Sequence, residues 1–400
     1  QPAAPTAAPT PAMLAGLLKT AATDPKLKGL ISHVGDPTLS IATIDQAQPW
    51  AIGALAHHTP LLVVTATGRE AEDLTAELKA MWGDQVAWFP AWETLPHERL
   101  SPAADVAGTR AKILHNLANL RIVVTAARGV CQPILETTPG RDPLTLTVGH
   151  DYDFTELTHH LVFKAYKHVD LVARRGEFAT RGGIIDIFPT TGEHPIRAEF
   201  WGDELTDLRA FSVADQRAFP DLDYPTVDVY PARELLITDD VAGRAAELAV
   251  AHRENPTLQE LLTKVADRIP ADGMEALIPV LADLTATPMR TLPELMPAGT
   301  HVVAVHPEKI RTRIADLQAT DAEFLAAGWE AAAMGAAGPV DSRDLDLSAS
   351  SYRSYDSLVV GATKAGQSWW SVTPPGMGGE DALPLEFEPG PTPRGDLSQI

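Results

Sequence analysis

A cluster of basic side chains lies between residues 164 and 181 of a chain whose formal net charge is −21. Its members are Lys164, Lys167, His168, Arg174, Arg175 and Arg181, interrupted only by Asp170 and Glu177. Desolvated arginines are common anchors of protein interfaces, so the cluster indicates a docking surface for an acidic partner. The residues leave an alternative open, which is a solvated face whose charges pair locally, for example Arg175 with Glu177.

The motifs of enzymatic chemistry are absent from the sequence. A phosphate-binding loop of the form GxxxxGK[ST] does not occur, nor do HExxH or GxSxG. Thr67-Gly68-Arg69 could hold an anion at a helix N-terminus, although a plain strand-to-helix turn is the favoured interpretation. We therefore expect no catalytic residues, no cofactor and no metal in these residues.

Composition limits the other classes of function. Four hundred residues predict two or three domains. The acidic balance disfavours tight autonomous binding of nucleic acid. No apolar run approaches the roughly 20 residues of a membrane span. The single cysteine, Cys131, suits a reducing compartment, and we expect it to be buried and unreactive. The predicted location is the cytoplasm.

The stretch from Gly176 to Phe211 predicts an antiparallel meander. Polarity alternates over 178–181, 184–188, 196–201 and 205–211, with glycine turns at Gly182-Gly183 and Gly202-Asp203. A helix from Asp153 to Lys167 precedes it. We expect a small α+β unit whose sheet packs on this helix with one side and leaves the other side partly open.

The flanking regions predict a different architecture. Buried-strand runs at 60–67, 86–89 and 121–126 alternate with helices at 68–82 and 101–120, the latter capped by Ser101, which indicates a parallel α/β lobe. After residue 216, helices and the strand 301–305 either extend that lobe or form a separate unit. Residues 1–12 are expected to be a disordered tail, and 376–400 a linker without packed elements.

Two stretches resemble the N-terminal module of the bacterial transcription-repair coupling factors. They are RRGEFATRGGIIDIFP and HPIRAEFWGDELTDLRAF, and LLVVTATGREAEDLTAEL and WETLPHERLSPAADVAGTR also match. The resemblance implies a degenerate helicase-like lobe of the RecA/UvrB type in two segments, 13–140 and 216–375, with an inserted α+β domain at 141–215. The Ala-rich, Arg-containing composition suggests an actinobacterial member.

In that family the inserted domain is similar to the part of UvrB that recruits UvrA. The resemblance implies a UvrA-binding set of Arg181, which matches UvrB, Lys167 and His168, which match in basic character, and the neighbouring Arg175 and Phe178. Ala179 replaces a further basic residue of UvrB, so the two interfaces differ. At the UvrB phosphate-binding loop this chain has Ile44-DQAQPW, without glycine or lysine, and the span between Phe89 and Ser101 is too short for the DNA-clamping hairpin.

The implied function is a UvrB mimic that recruits UvrA to RNA polymerase stalled at DNA damage, in transcription-coupled nucleotide excision repair. ATP, Mg²⁺, DNA and RNA polymerase would be bound by translocase and polymerase-binding domains beyond residue 400. Two alternatives remain: a regulatory domain whose same face is masked by C-terminal domains of the full-length protein, or a residual DNA-binding or nucleotide-binding lobe.

Overall fold

The computed structural model describes residues 12–333 and 345–389, without the side chains of 328–333. The tail expected at residues 1–12 therefore lies outside the described residues, apart from Ala12. The strands are β1 Thr38–Thr43, β2 Leu61–Thr65, β3 Val86–Phe89, β4 Ile122–Ala126, β5 Ile134–Leu135, β6 Leu144–Thr147, β7 Lys167–His168, β8 Glu177–Arg181, β9 Ile184–Ile187, β10 Ile196–Trp201, β11 Glu204–Phe211, β12 Ala218–Asp223, β13 Thr226–Val229, β14 Met289–Arg290, β15 His301–Val305, β16 Ser368–Thr373 and β17 Leu383–Leu385.

The helices alternate with the parallel strands in the lobe and are sparse in the inserted domain. They are α1 Ala15–Ala21, α2 Pro25–Ile31, α3 Gln48–Leu55, α4 Gly68–Trp82, α5 Ala104–Asn116, α6 Ala127–Cys131, α7 Phe154–Phe163, α8 Asp239–Ala251, α9 Pro256–Ala266, α10 Ile278–Leu281, α11 Leu292–Leu295, α12 Pro307–Ala333 and α13 Tyr355–Lys364.

The lobe is built on a seven-stranded parallel sheet in the order β17-β1-β16-β15-β2-β4-β3. Its central strands are buried on both faces, as expected of a parallel sheet covered by helices. Alternate residues of β2 enter two separate cores, Leu61 and Val63 in one and Leu62 and Val64 in the other. Strands β15 and β16 come from the region after residue 216, so that region completes the sheet of the first segment.

A helical unit is attached to this lobe. Helices α8, α9 and α10 share a third core with Trp92 and Leu347. Asn255 caps α9 by accepting a hydrogen bond from the Leu258 amide at 3.1 Å. The sequence TLQE at residues 257–260 has the pattern of a capping box, but Thr257 lies inside the helix, which already begins at Pro256.

The inserted domain holds the antiparallel sheet β12-β11-β10-β9-β8-β7. One face packs on α7 through Leu157 and Leu161 and on a short ribbon formed by β6 and β13. The sheet continues to Asp223, past the boundary expected at residue 215. A bulge at Thr206 brings Leu205 onto the same core face as Leu208, because the register shifts there between β10 and β11.

Two further local predictions are corrected. Ser101 does not cap a helix: its hydroxyl binds Glu275 and accepts a hydrogen bond from the Gly273 amide at 3.0 Å, and α5 begins only at Ala104. Helix α7 ends at Phe163, after which Ala165 has φ +63° and the chain turns into β7.

The stretch expected to be a linker contains a packed strand. β17 pairs in parallel with β1, and Leu385 is 2% exposed. The Thr43 hydroxyl donates a hydrogen bond to the Leu385 carbonyl at 3.0 Å. The prolines and glycines of GMGGEDALPLEFEP are typical of a linker, and the three residues of β17 are too few to give a recognisable strand pattern. Residues 390–400 lie outside the described part of the chain.

Candidate docking surface on the inserted domain

The second face of the antiparallel sheet carries a row of charged side chains. Successive residues of a strand point to opposite faces, so the same alternation that buries Ile185 and Ile187 turns Asp186 to this face. Cross-strand pairing then places Ala179, Asp186, Arg197 and Arg209 in one line across β8 to β11. We call the side of the sheet that bears these residues and Arg181 the open face. Part of it is covered, because Val172 packs with Ala179, Phe188 and Phe211 in a small buried cluster, whereas Arg181 remains exposed.

Asp186 is the centre of the open face. Its carboxylate is 2% exposed and accepts hydrogen bonds from Arg197 Nε at 2.8 Å and Arg197 Nη2 at 2.9 Å. The hydrogen bond to Asp186 raises the pKa of Arg197. The Arg197 guanidinium also stacks on Phe211, 4.8 Å from the ring centroid. A bidentate pair of this kind fixes both partners.

Arg181 is attached to the same carboxylate more loosely. Its Nη2 lies 3.4 Å from Asp186 Oδ2, and its side chain is 56% exposed. The guanidinium has five donors, and the longer contact to Asp186 uses one of them. Arg181 therefore presents a positive group to solvent in a position that a buried partner restrains.

The other basic residues of the cluster do not join Arg181 in one patch. Lys167 is exposed and is paired with Glu177 at the start of β8, whereas Arg181 ends that strand. At 3.2–3.4 Å of rise per residue, the two positions are roughly 13 Å apart. Both lie on the same side of the sheet, so a single partner of ordinary interface size can reach both.

Arg175 lies further along, before β8. Its Nε donates to the Gly192 carbonyl at 2.8 Å, and its guanidinium lies 5.4 Å from the Phe188 ring centroid. The local pair with Glu177 that the sequence left open does not form. Instead, the Glu177 carboxylate accepts the amides of Ala173 and Arg174, each at 2.9 Å.

His168 and Phe178 lie on the other side of the sheet. They are register partners in β7 and β8, with ring centroids 4.9 Å apart, and His168 Nε2 lies 3.2 Å from Thr180 Oγ1. His168 is exposed at the sheet edge. Phe178 is 2% exposed inside the domain core, so its assignment to the docking set is wrong: a ring buried against α7 cannot contact a partner.

Lys164 belongs to the domain junction and not to a surface patch. Its ammonium donates hydrogen bonds to the carbonyls of Gly140 at 2.9 Å and Asp142 at 2.6 Å, and burial lowers its pKa to about 8. Nearby, the Tyr166 hydroxyl donates to the Tyr230 carbonyl at 2.9 Å and accepts from the Thr190 amide at 3.0 Å. These bonds fasten the inserted domain to its own two connections.

Sequence reasoning missed Asp186, Arg197 and Trp201 on the open face. Asp186 had a signal, since it is the one charged residue in the apolar strand Ile184–Ile187. The period-2 pattern also places Trp201 two positions beyond Glu199 on the open face, at the tip of β10. Its side chain is 83% exposed.

The place where a nucleotide would bind lies at the carboxyl ends of β1, β15 and β16, the usual ligand crevice of such sheets. The chain leaves β1 through Ile44 into a single turn of 3₁₀ helix. Asp45 accepts a hydrogen bond from Gln48 Nε2 at 2.9 Å and lies 3.4 Å from His306 Nε2. An acidic side chain occupies this turn, and a carboxylate repels phosphate.

The second possible anion site is closed by its own cap. Thr67 accepts a hydrogen bond from the Glu70 amide, and Glu70 Oε2 accepts the Thr67 amide at 2.9 Å, which completes a capping box. The Glu70 carboxylate thus occupies the N-terminus of α4. Cys131 is fully buried, and burial raises the pKa of its thiol to about 12, as expected for an unreactive cysteine.

Within residues 12–333 and 345–389, no group of three or more His, Cys, Asp or Glu side chains comes together as a metal site. No helix in this described part of the chain is long and apolar enough to cross a membrane.

Comparison with known proteins identifies the inserted domain. The UvrB interaction domain family matches residues 144–235. The transcription-repair-coupling factor of Mycobacterium tuberculosis is 44% identical over 407 residues, which cover 97% of this chain and 32% of that protein. Those of Myxococcus xanthus and Escherichia coli are 35% identical over 243 residues (57% of this chain, 20% of that protein) and 28% over 181 (44% and 16%).

A parallel α/β lobe interrupted by a UvrB interaction domain defines a UvrB-like module. Over nearly its whole length the chain is similar to transcription-repair-coupling factors, and it spans about a third of the length of the mycobacterial relative. The mycobacterial likeness agrees with the actinobacterial source suggested by composition.

Proposed function

We propose that the open face of the inserted domain docks UvrA, and that the parent protein thereby recruits UvrA to RNA polymerase stalled at DNA damage. The observation that carries the proposal is the presentation of Arg181: a half-exposed guanidinium restrained by a buried carboxylate that Arg197 already holds. Such a group loses little conformational entropy on binding and offers free donors to a partner carboxylate.

The candidate residues contribute unequally to the proposed interface with UvrA. Arg181 is the central contact, and Lys167 is a peripheral one on the same side of the sheet. Arg175 and His168 lie at the margins and contribute less, because Arg175 is committed to Gly192 and His168 faces the other side. ATP, Mg²⁺, DNA and RNA polymerase belong, in this proposal, to parts of the parent protein outside this chain.

The test is a titration of purified UvrA with Arg181→Glu, alone and with Lys167→Glu. We expect Arg181→Glu to weaken binding by about 2 kcal/mol or more, as for a desolvated interface arginine, and the double variant to weaken it further. Arg69→Glu is the matched control: its side chain is 92% exposed on α4 of the lobe. Wild-type affinity of Arg181→Glu in a chain with an unchanged unfolding midpoint would contradict the proposal.

A further inference from the structure

Trp201 is the most exposed large hydrophobic side chain in the described part of the chain, at 83%. It sits at the tip of the β10–β11 hairpin, opposite Glu204, and Gly202 has φ +63° in the turn that follows. An isolated exposed apolar side chain is common at protein surfaces. Trp201 differs from such a residue because it lies close to Arg181 on the same face of the sheet.

The hairpin holds the indole in a fixed place. The preceding residue, Phe200, points to the opposite side and packs edge-to-face against Tyr152 and Phe154, with ring centroids 6.5 and 5.7 Å apart. The Phe200 amide donates to the Gly183 carbonyl at 2.8 Å, which ties the tip to the neighbouring turn. The backbone beneath Trp201 is therefore anchored before any partner arrives.

Trp201 and Arg181 share the open face at the same end of the sheet. Arg181 pairs with Ile184, Ile184 pairs with Glu199, and Trp201 follows Glu199 by two residues. Two strand spacings and two residue steps put the Cα atoms roughly 12 Å apart. Between them lies the Gly182-Gly183 turn, whose exposed backbone bears no side chains that would keep a partner away.

We propose that Trp201 is a second anchor of the UvrA interface, inserting into an apolar pocket of UvrA that lies beside the carboxylate met by Arg181. This inference rests on the proposed docking of UvrA. Tryptophan and arginine are the residue types most enriched among binding hot spots, and the separation of the two fits within one interface of ordinary size. The partner surface is thus specified as an acidic group next to an apolar cavity.

The test compares Trp201→Ala, Trp201→Phe and Val162→Ala in titrations with purified UvrA. Val162 is an exposed apolar residue (49%) on α7, behind the sheet, and serves as the matched control. We expect Trp201→Ala to weaken binding roughly 30-fold or more, Trp201→Phe to recover most of the affinity, and Val162→Ala to remain near wild type. All three should keep the wild-type unfolding midpoint.

Two results would overturn the inference, and they differ in what they leave standing. If Trp201→Ala binds UvrA as wild type does while Arg181→Glu is impaired, Trp201 is no anchor and the docking proposal survives. If neither variant weakens binding, the docking proposal fails and this inference fails with it.

Discussion

Arg197 holds the buried carboxylate of Asp186 with two hydrogen bonds of 2.8 and 2.9 Å, and the same carboxylate contacts Arg181 more loosely, at 3.4 Å. The three residues come from neighbouring strands, and only the outermost arginine is half exposed. The arrangement separates two roles: Arg197 stabilises the domain, and Arg181 remains available to a partner.

The separation of roles predicts different stability costs. Arg197→Ala should lower the free energy of unfolding by about 3 kcal/mol, because it removes the main partner of a buried carboxylate. Arg181→Ala should cost less than about 1 kcal/mol, since an exposed ion pair contributes little. Urea denaturation of both variants checks the difference, and equal costs would contradict the arrangement.

The buried ammonium of Lys164 should make the free energy of unfolding depend on pH. Burial lowers its pKa to about 8, so the folded chain releases this proton at lower pH than the unfolded chain does. Between about pH 8 and 10 the unfolded state binds more protons, and the free energy of unfolding therefore rises with pH from this group, by on the order of 3 kcal/mol in total. Lys164→Met should remove that rise. A difference between wild type and variant that stays constant from pH 7 to 9.5 would refute the prediction.

Because β17 is packed in the lobe, we predict that residues beyond 376 stabilise it. Leu385→Ala should cost about 3 kcal/mol, since the side chain is buried among the core residues of the parallel sheet. Glu388→Ala is the control and should change stability by no more than about 0.5 kcal/mol, because its side chain is exposed. Thermal and urea unfolding distinguish them; a neutral Leu385→Ala would restore the linker interpretation.

We predict that the chain does not bind nucleotide in the crevice at the carboxyl end of β1. Asp45 contributes a carboxylate where a phosphate-binding loop would offer amides and a lysine. Addition of ATP with Mg²⁺ at millimolar concentration should leave the unfolding midpoint unchanged, whereas a ligand at 100 times its Kd would stabilise the fold by about 2.7 kcal/mol. Micromolar affinity in a direct titration would revive the nucleotide-binding alternative.

Masking of the open face is tested by comparing the UvrA affinity of this chain with that of the full-length protein. If other parts of the full-length protein cover Arg181, this chain should bind UvrA more tightly than the intact protein does. Matched titrations of both forms against the same UvrA preparation measure the ratio. Equal affinities would argue against masking and leave the docking proposal unaffected.

The regular parts of the fold could be predicted because their signals are local. Strands β8 to β11 were located within a residue from alternation and glycine turns, and α4 and β3 at their observed ends. The order of the parallel sheet was not accessible, since β15, β16 and β17 reach it from distant sequence. Nor was the bulge at Thr206, which reverses the side expected for Leu205.

The docking set was only partly accessible, for a physical reason. Basic character in sequence does not reveal whether a side chain is exposed, and Lys164 proved to be buried while Arg181 is half exposed. The period-2 pattern already put Phe178 and Arg181 on opposite faces. It could not show which face was covered, because the covering elements, α7 and the β6–β13 ribbon, come from both ends of the domain.

The inserted domain leaves and re-enters the lobe through two strands, β6 and β13, that are hydrogen-bonded to each other. A domain on a single flexible tether would swivel freely, but a paired stalk locked by Tyr166 and Lys164 resists torsion as well as bending. A partner bound to the sheet would therefore keep a fixed orientation relative to the lobe. Any rotation of the lobe would reorient that partner with it.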